Sequence, residues 1–292
     1  MDTYQRYEFD RQGYLVLRNL IPADLVARLR VAVERIEESA VALKPDDRPH
    51  LSLWGGKYFH DQRQGLLIHG ERKPGGTFLI EDFWNADPAF DPLIDHPATL
   101  AIVRAAVRGR VTINNSEIRI RYQGNCTGAH MGGPLDKKYQ YRTDPEGIDC
   151  TMVRMVYFLQ HVKADDGAFS VVPGTHKSAF PPPTAKLPED EPGAIPLEVG
   201  PGDAIFFTEH LRHGGFTNRG NQVRRTLHVG YGPYWMRSQN IATMDQLPYL
   251  TPATWERLTP ARRELFLAGS LEQEQRISRL PPGSRAALLT TC

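Results

Sequence analysis

Residues 202–231 read GDAIFFTEHLRHGGFTNRGNQVRRTLHVGY. An apolar, aromatic run gives way to a short polar connection, a histidine at position 213 and a glycine-rich loop. A second run then opens on two arginines, Arg224 and Arg225. Both runs carry β-branched and aromatic residues between Gly, Asp and Asn punctuation, so they read as strands. Side chains alternate across a strand, which puts Arg224 and Thr226 on one face and Arg225 on the other.

The same texture begins at about Val111. In EIRIRYQG, Ile118, Ile120 and Tyr122 alternate with Arg119, Arg121 and Gln123, the pattern of a half-buried strand. CTMVRMVYFLQHV, AFSVVPG and AIPLEVGPGDAIFFT continue it, separated by turn residues. Many short strands with such punctuation predict an antiparallel sandwich or barrel. Upstream, IPADLVARLRVAVERIEESA spaces Leu25, Leu29, Val33 and Ile36 as one apolar helical stripe. HPATLAIVRAAVRGR resumes helical spacing, with Pro97 in the first turn. HLSLWGGKYFHDQRQG reads as loop or short strand, and TPATWERLTPARRELFLAG as helix. The expected architecture is a single, mainly β domain with flanking helices. A helical part covers about 1–110, a double-stranded β-helix (jelly-roll, cupin-like) core about 111–235, and a helical segment about 236–292. A β-sandwich of the binding type is the alternative.

The chain has 292 residues and a formal net charge of +1, so charge gives no case for a nucleic-acid or membrane-surface partner. No apolar run reaches the roughly 20 residues that span a bilayer. Three scattered cysteines, Cys126, Cys150 and Cys292, form no disulfide framework and no Cys-x-x-Cys zinc pair. The expected compartment is the cytoplasm and the expected partner a small molecule; oligomeric state is not legible.

Of the ten histidines, His50, His60, His69, His96, His161 and His228 have contexts that suit ordinary structural or surface roles. His176 lies in PGTHKS, which reads as a structural turn, and His210 competes with His213 by proximity. His130 ends the strand region EIRIRYQGNCTGAH, and His213 follows a strand and a short connection. The set of His130, Pro173-Gly174-Thr175-His176, His213 and Arg224, in that order on a β-rich background, resembles the phytanoyl-CoA dioxygenase superfamily of non-haem iron, 2-oxoglutarate-dependent oxygenases. The likeness runs from Val111 to Tyr234, with a similar N-terminal YEFDRQGYLVLRNLIPADLVARL.

That resemblance implies Fe(II) held by His130 and His213, with 2-oxoglutarate and O2 as cosubstrates. It implies an arginine about eleven residues after the second histidine for the distal carboxylate; Arg224 has that spacing from His213 and His210 does not. Arginine offers a fixed, always charged fork for a carboxylate. Thr226 could add a hydroxyl on the same face, and Arg121 is a second candidate for the cosubstrate. The family's usual His-x-Asp is altered here: the position two after His130 is Gly132. Three readings follow. Gly132 leaves room for chloride or bromide, as in the aliphatic halogenases of this group; or Asp136 or Glu209 substitutes as the carboxylate; or water fills the place. The favoured expectation is a halogenase acting on an unactivated C–H bond. The alternatives are a hydroxylase on the same scaffold and a non-catalytic jelly-roll binder. The segment GGPLDKKYQYRTDPEG offers Lys137, Tyr139 and Arg142 to a polar substrate such as a nucleotide or nucleoside, and WGGKYFHDQRQG could form a second wall.

Overall fold

The computed structural model describes residues 1–41, 48–53, 55–131, 140–178, 180, 187–236, 240–244 and 246–268. The strands, in chain order, are β1 (Tyr14–Leu17), β2 (His50–Leu51), β3 (Lys57–Asp61), β4 (Leu66–Gly70), β5 (Thr77–Glu81), β6 (Val111–Arg121), β7 (Thr127–His130) and β8 (Tyr141–Asp144). Then come β9 (Gly147–Cys150), β10 (Val153–Phe158), β11 (Phe169–Val171), β12 (Ile195–Leu197), β13 (Ala204–Thr208), β14 (His213–Gly215) and β15 (Arg224–Pro233). A nine-stranded major sheet runs β1-β13-β10-β15-β6-β5-β4-β3-β2 and faces a four-stranded minor sheet, β12-β11-β14-β7. β8 and β9 form a separate ribbon. This is the jelly-roll expected from the sequence.

The central strands of the major sheet, β13, β10, β15 and β6, are buried on both faces, and those two faces differ in chemistry. Outward from the jelly roll, Ile118, Ile120, Met155, Tyr157, Phe206, Leu227 and Val229 join the helices in one core. Helix α1 (Thr3–Gln12) and helix α2 (Ala23–Val41) cover this side, and the Leu25, Leu29, Val33 and Ile36 stripe of α2 is buried in the same core. Inward, Val156, Phe158, Ile205 and Phe207 meet Phe169, Val171 and Leu197 of the minor sheet. β10 is therefore apolar at nearly every position, as a strand covered on both sides requires. Burying each such side chain contributes about 1.5–3 kcal/mol before entropy is counted.

The sequence reading needs two corrections. The first 110 residues are not only helix and loop: they supply β1 to β5, five strands of the major sheet. HLSLWGGKYFHDQRQG contributes β2 and β3 there, with Tyr58 in register with His69 of β4. The second concerns β6, whose arginine-bearing face is covered by the minor sheet rather than by solvent, so Arg121 is only 6 % exposed.

The reading of PGTHKS as structural agrees with the geometry. His176 Nε2 donates to the Asp10 carbonyl at 3.0 Å, and Gly174 N–H donates to Gln12 O at 3.0 Å, so this turn pins the end of α1. α1 closes on Gly13 at φ +84°, and a Cβ there would lie 2.6 Å from His176 Nδ1. Glycine is required twice over, by backbone and by space.

Candidate active site

β14 and β7 are neighbours in the minor sheet, and His213 stands opposite His130 in register, with ring centroids 4.4 Å apart. Both rings are oriented by the same device. His130 Nδ1 donates to the Gly128 carbonyl at 2.9 Å, and His213 Nδ1 donates to the Leu211 carbonyl at 2.8 Å. A carbonyl can only accept, so the proton sits on Nδ1 and the lone pair on Nε2. That is the tautomer a metal ligand needs, with its second nitrogen fixed by an outer partner. His213 is wedged against Phe207 at 4.6 Å and stacked on Phe169 at 5.6 Å. Burial first, and then the His130 ring beside it, pull the His213 pKa down to about 3. The ring is thus neutral across the physiological range, as a ligand must be. His130 lies on the edge strand and is exposed.

Across from this pair lies the inner face of β15 and β6. Arg224 pairs in register with Arg121, and both are buried, at 3 % and 6 % exposure. Like charges directly across a ladder are unfavourable. Nε and Nη1 of both guanidiniums are nevertheless without a hydrogen-bond partner. Burial lowers both pKa values, that of Arg224 to about 9 with a further contribution from Arg119. The Arg121 guanidinium lies over Gly215 of β14: a Cβ on that glycine would sit 2.6 Å from Arg121 Nη1. Arg121 therefore reaches the same short strand that carries His213. Arg225 points to the other face, as alternation predicts, and pairs with Glu37 of α2 at 2.7 Å.

The other residues singled out in the sequence fall into three groups. Thr226 shares the face of Arg224, but its hydroxyl is engaged: it donates to the Arg119 carbonyl at 3.3 Å and contacts His228 Nε2 at 3.0 Å. Arg142 is exposed on β8, where it donates to Gln140. Gly132, Asp136, Lys137 and Tyr139 lie outside the described residues. Among the described residues no three His, Cys, Asp or Glu side chains converge to hold a metal. Glu209, buried beside the histidines, is instead ion-paired with Arg154.

The sequence reading gave no site role to Arg154, Glu117, Arg119 or His228, which complete the polar inner face. Glu117 accepts from Arg119 at 2.8 Å and from Arg154 at 2.5 Å. His228 lies fully inside, its pKa pushed far down by burial and then by the surrounding arginines, Arg119 first. Two signals pointed to them. Arg154 is the single charge within CTMVRMVYFLQHV, and Glu117 and Arg119 share the alternation of Arg121.

Comparison with known proteins bears on the same residues. The family profile of phytanoyl-CoA dioxygenase (PhyH) matches residues 9–226, which spans both histidines and Arg224. The chain belongs to the phytanoyl-CoA dioxygenase family. Among characterised relatives, the dioxygenase olcK of Penicillium canescens is 25 % identical over 273 residues, covering 91 % of this chain and 79 % of olcK. A probable phytanoyl-CoA dioxygenase of Caenorhabditis elegans is 24 % identical over 257 residues, covering 79 % of this chain and 75 % of that one. Among solved structures, HygX of Streptomyces hygroscopicus, seen with nickel, 2-oxoglutarate and hygromycin B, superposes with TM-score 0.64 at 21 % identity. That match covers 82 % of this chain and 90 % of HygX. The 2-oxoglutarate-dependent carbocyclase SnoK of nogalamycin biosynthesis gives 0.57 at 17 % identity, over 89 % and 92 % of the two chains. These likenesses show a shared fold. Among the described residues, no helix of this family member is long and apolar enough to cross a membrane.

Proposed function

We propose that this protein is an Fe(II)/2-oxoglutarate-dependent oxygenase that hydroxylates or otherwise oxidises an unactivated C–H bond of a polar small molecule. The observation that carries the reading is the buried pair Arg121 and Arg224. Two guanidiniums with unpartnered N–H groups inside a protein are an unfilled demand for an anion. Arg121 lies against the strand that presents His213, and Arg224 is in register with Arg121, so one end of a dicarboxylate can meet the arginines while the other reaches the histidines.

The residues fit the cofactor set. His130 and His213 would hold the metal through Nε2, and Arg224, assisted by Arg121, would take the distal carboxylate in a forked pair. When bound, iron with 2-oxoglutarate and O2 supplies the oxidising power. The chain supplies the rest. Phe207 and Phe169 keep water from His213 and hold its ring, and the two backbone carbonyls keep both protons on Nδ1. The binding of nickel and 2-oxoglutarate by HygX, on the same fold, supports this set. Its hygromycin B supports a polar, hydroxyl-rich substrate class over a lipid.

The halogenase reading rests on Gly132, which is outside the described residues. What is described favours hydroxylation, because a buried carboxylate, Glu209, stands beside the histidines and would repel a halide. Against a non-catalytic binder stands the combination: Arg121 reaches the strand of His213, a ring whose Nδ1 is held by a carbonyl and whose Nε2 is left for a metal. Anaerobic titration with Fe(II) and 2-oxoglutarate tests the proposal: a charge-transfer band should appear in the wild type, and succinate should form when air is admitted. Absence of both would defeat it. Halogenated product in the presence of chloride would restore the halogenase.

A further inference from the structure

Four charged side chains alternate in a line across the inner face: Arg119, Glu117, Arg154 and Glu209. Arg119 meets Glu117 at 2.8 Å, Glu117 meets Arg154 at 2.5 Å, and Arg154 Nε meets Glu209. Glu117, Arg154 and Glu209 are only 1 %, 3 % and 5 % exposed. Such a chain is a poor stability device, since apolar residues of the same volume do as well or better. It is, however, a rigid ruler: the fork of Arg119 grips Glu117, and the planar Arg154 guanidinium spans Glu117 with Nη1 and Glu209 with Nε.

One end of the ruler lies at the histidines. Glu209 follows the last residue of β13, and its N–H donates to the Met152 carbonyl at 3.1 Å, extending the ladder by one step. Alternation then puts its side chain on the face of Phe207, whose ring is 4.6 Å from that of His213. Arg154 is in register with Phe207 on the adjacent strand. Its ion pair with the buried Arg154 guanidinium holds Glu209 there as the carboxylate.

We infer that Glu209 supplies the negative charge of the metal centre from outside the ligand set, and that Arg154 is the positioning residue that keeps it there. This rests on His130 and His213 being the metal ligands. Two neutral imidazoles bring no charge to a dication, and a fixed carboxylate just beyond them offsets part of it. Partners just outside a ligand set change metal affinity by about 10- to 100-fold when removed. Arg154 Nε holds one carboxylate oxygen of Glu209, which keeps the group turned toward the guanidinium.

The experiment is a calorimetric titration of the full-length chain with Ni(II), paired with visible spectra of the Co(II) form and thermal melts of the metal-free form. Glu209→Gln should bind Ni(II) on the order of tenfold or more weakly, with the wild-type Co(II) spectrum, because the ligands are unchanged. Arg154→Gln should do the opposite. It frees the carboxylate to approach, so binding tightens and the Co(II) spectrum changes. The Arg154→Gln/Glu209→Gln double variant removes the orphaned partner of each single change. Its melt should return toward wild type while Ni(II) binding stays weak. If affinity recovers with the melt, or Glu209→Gln binds like wild type, the inference falls. It also falls if Glu209→Gln alters the Co(II) spectrum, which would make it a ligand, or if Asp136→Asn weakens binding in its place. If wild type and His213→Ala bind Ni(II) alike, the failure belongs to the metal-site reading.

Discussion

The two faces of β15 do opposite work with adjacent residues. Arg225, facing the helices, shares Glu37 with Tyr122 at 2.8 Å and Arg72 at 3.5 Å, and so is a structural ion pair. Arg224, one residue earlier, is buried with no carboxylate partner among the described residues and with a second arginine across from it. The outer face satisfies its charges from within the fold. The inner face leaves its demand for something that arrives from solution. Identical side chains thus stabilise or destabilise the empty protein according to which side of one strand they occupy.

Four substitutions test that contrast. The largest effect is expected at the minor sheet. His213→Ala removes one of two histidines, and Ni(II) binding should be lost altogether by calorimetry while circular dichroism stays that of the wild type. Retained tight binding would put the metal elsewhere. Next, Arg224→Leu should cost 2-oxoglutarate binding about 2–5 kcal/mol. The same change should raise the melting temperature of the metal-free protein, because it removes a buried like-charge contact. Each kcal/mol recovered is about 2–4 °C for a chain of this size class. A lower melting temperature would mean that Arg224 has an internal partner. Leu227→Ala, on the outer face, should lose a comparable amount, about 2–5 kcal/mol, from stability instead. Its 2-oxoglutarate affinity, measured well below the melt, should be unchanged. The smallest effect belongs to Arg225→Leu, at about 1 kcal/mol of stability, since Glu37 keeps two partners. Loss of 2-oxoglutarate affinity in this variant would reverse the assignment of the two faces.

Much of this division can be read in the sequence. The spacing from His213 to Arg224 and the alternation of Arg224 with Arg225 are local properties, and they come through intact. The stripe on α2 is local too. Arg121 is different. EIRIRYQG looks half-exposed because nothing within it reveals that β14, some ninety residues later, will cover its polar side. β2 to β5 were obscured for a related reason: they are short, glycine-punctuated and carry His, Lys and Asp, and they become strands by pairing outward from β6. Arg154 and Glu117 form one ion pair that reaches across β15, from β10 on one side of it to β6 on the other, so neither signals the other in the sequence. The substitution at Gly132 is visible in the sequence, whereas the carboxylate that stands near the histidines, Glu209, needs the three-dimensional arrangement to give it a role.

Among the described residues, β7 closes the minor sheet on one side, with β14 as its neighbour there. Its pairing consists of His213 with His130 and Gly215 with Thr127, with a shift in between. The two histidines are therefore unequally anchored: His213 rides on an interior strand and His130 on a short margin. Local opening from a margin needs far less free energy than global unfolding. Loss of the metal should then begin with β7 peeling away, long before the major sheet loosens. In hydrogen-exchange experiments the amides of residues 127–130 should exchange ahead of those of 213–215 in the metal-free protein. Metal should slow the first group more than the second, so that the ion acts as a rivet for the strand that presents it.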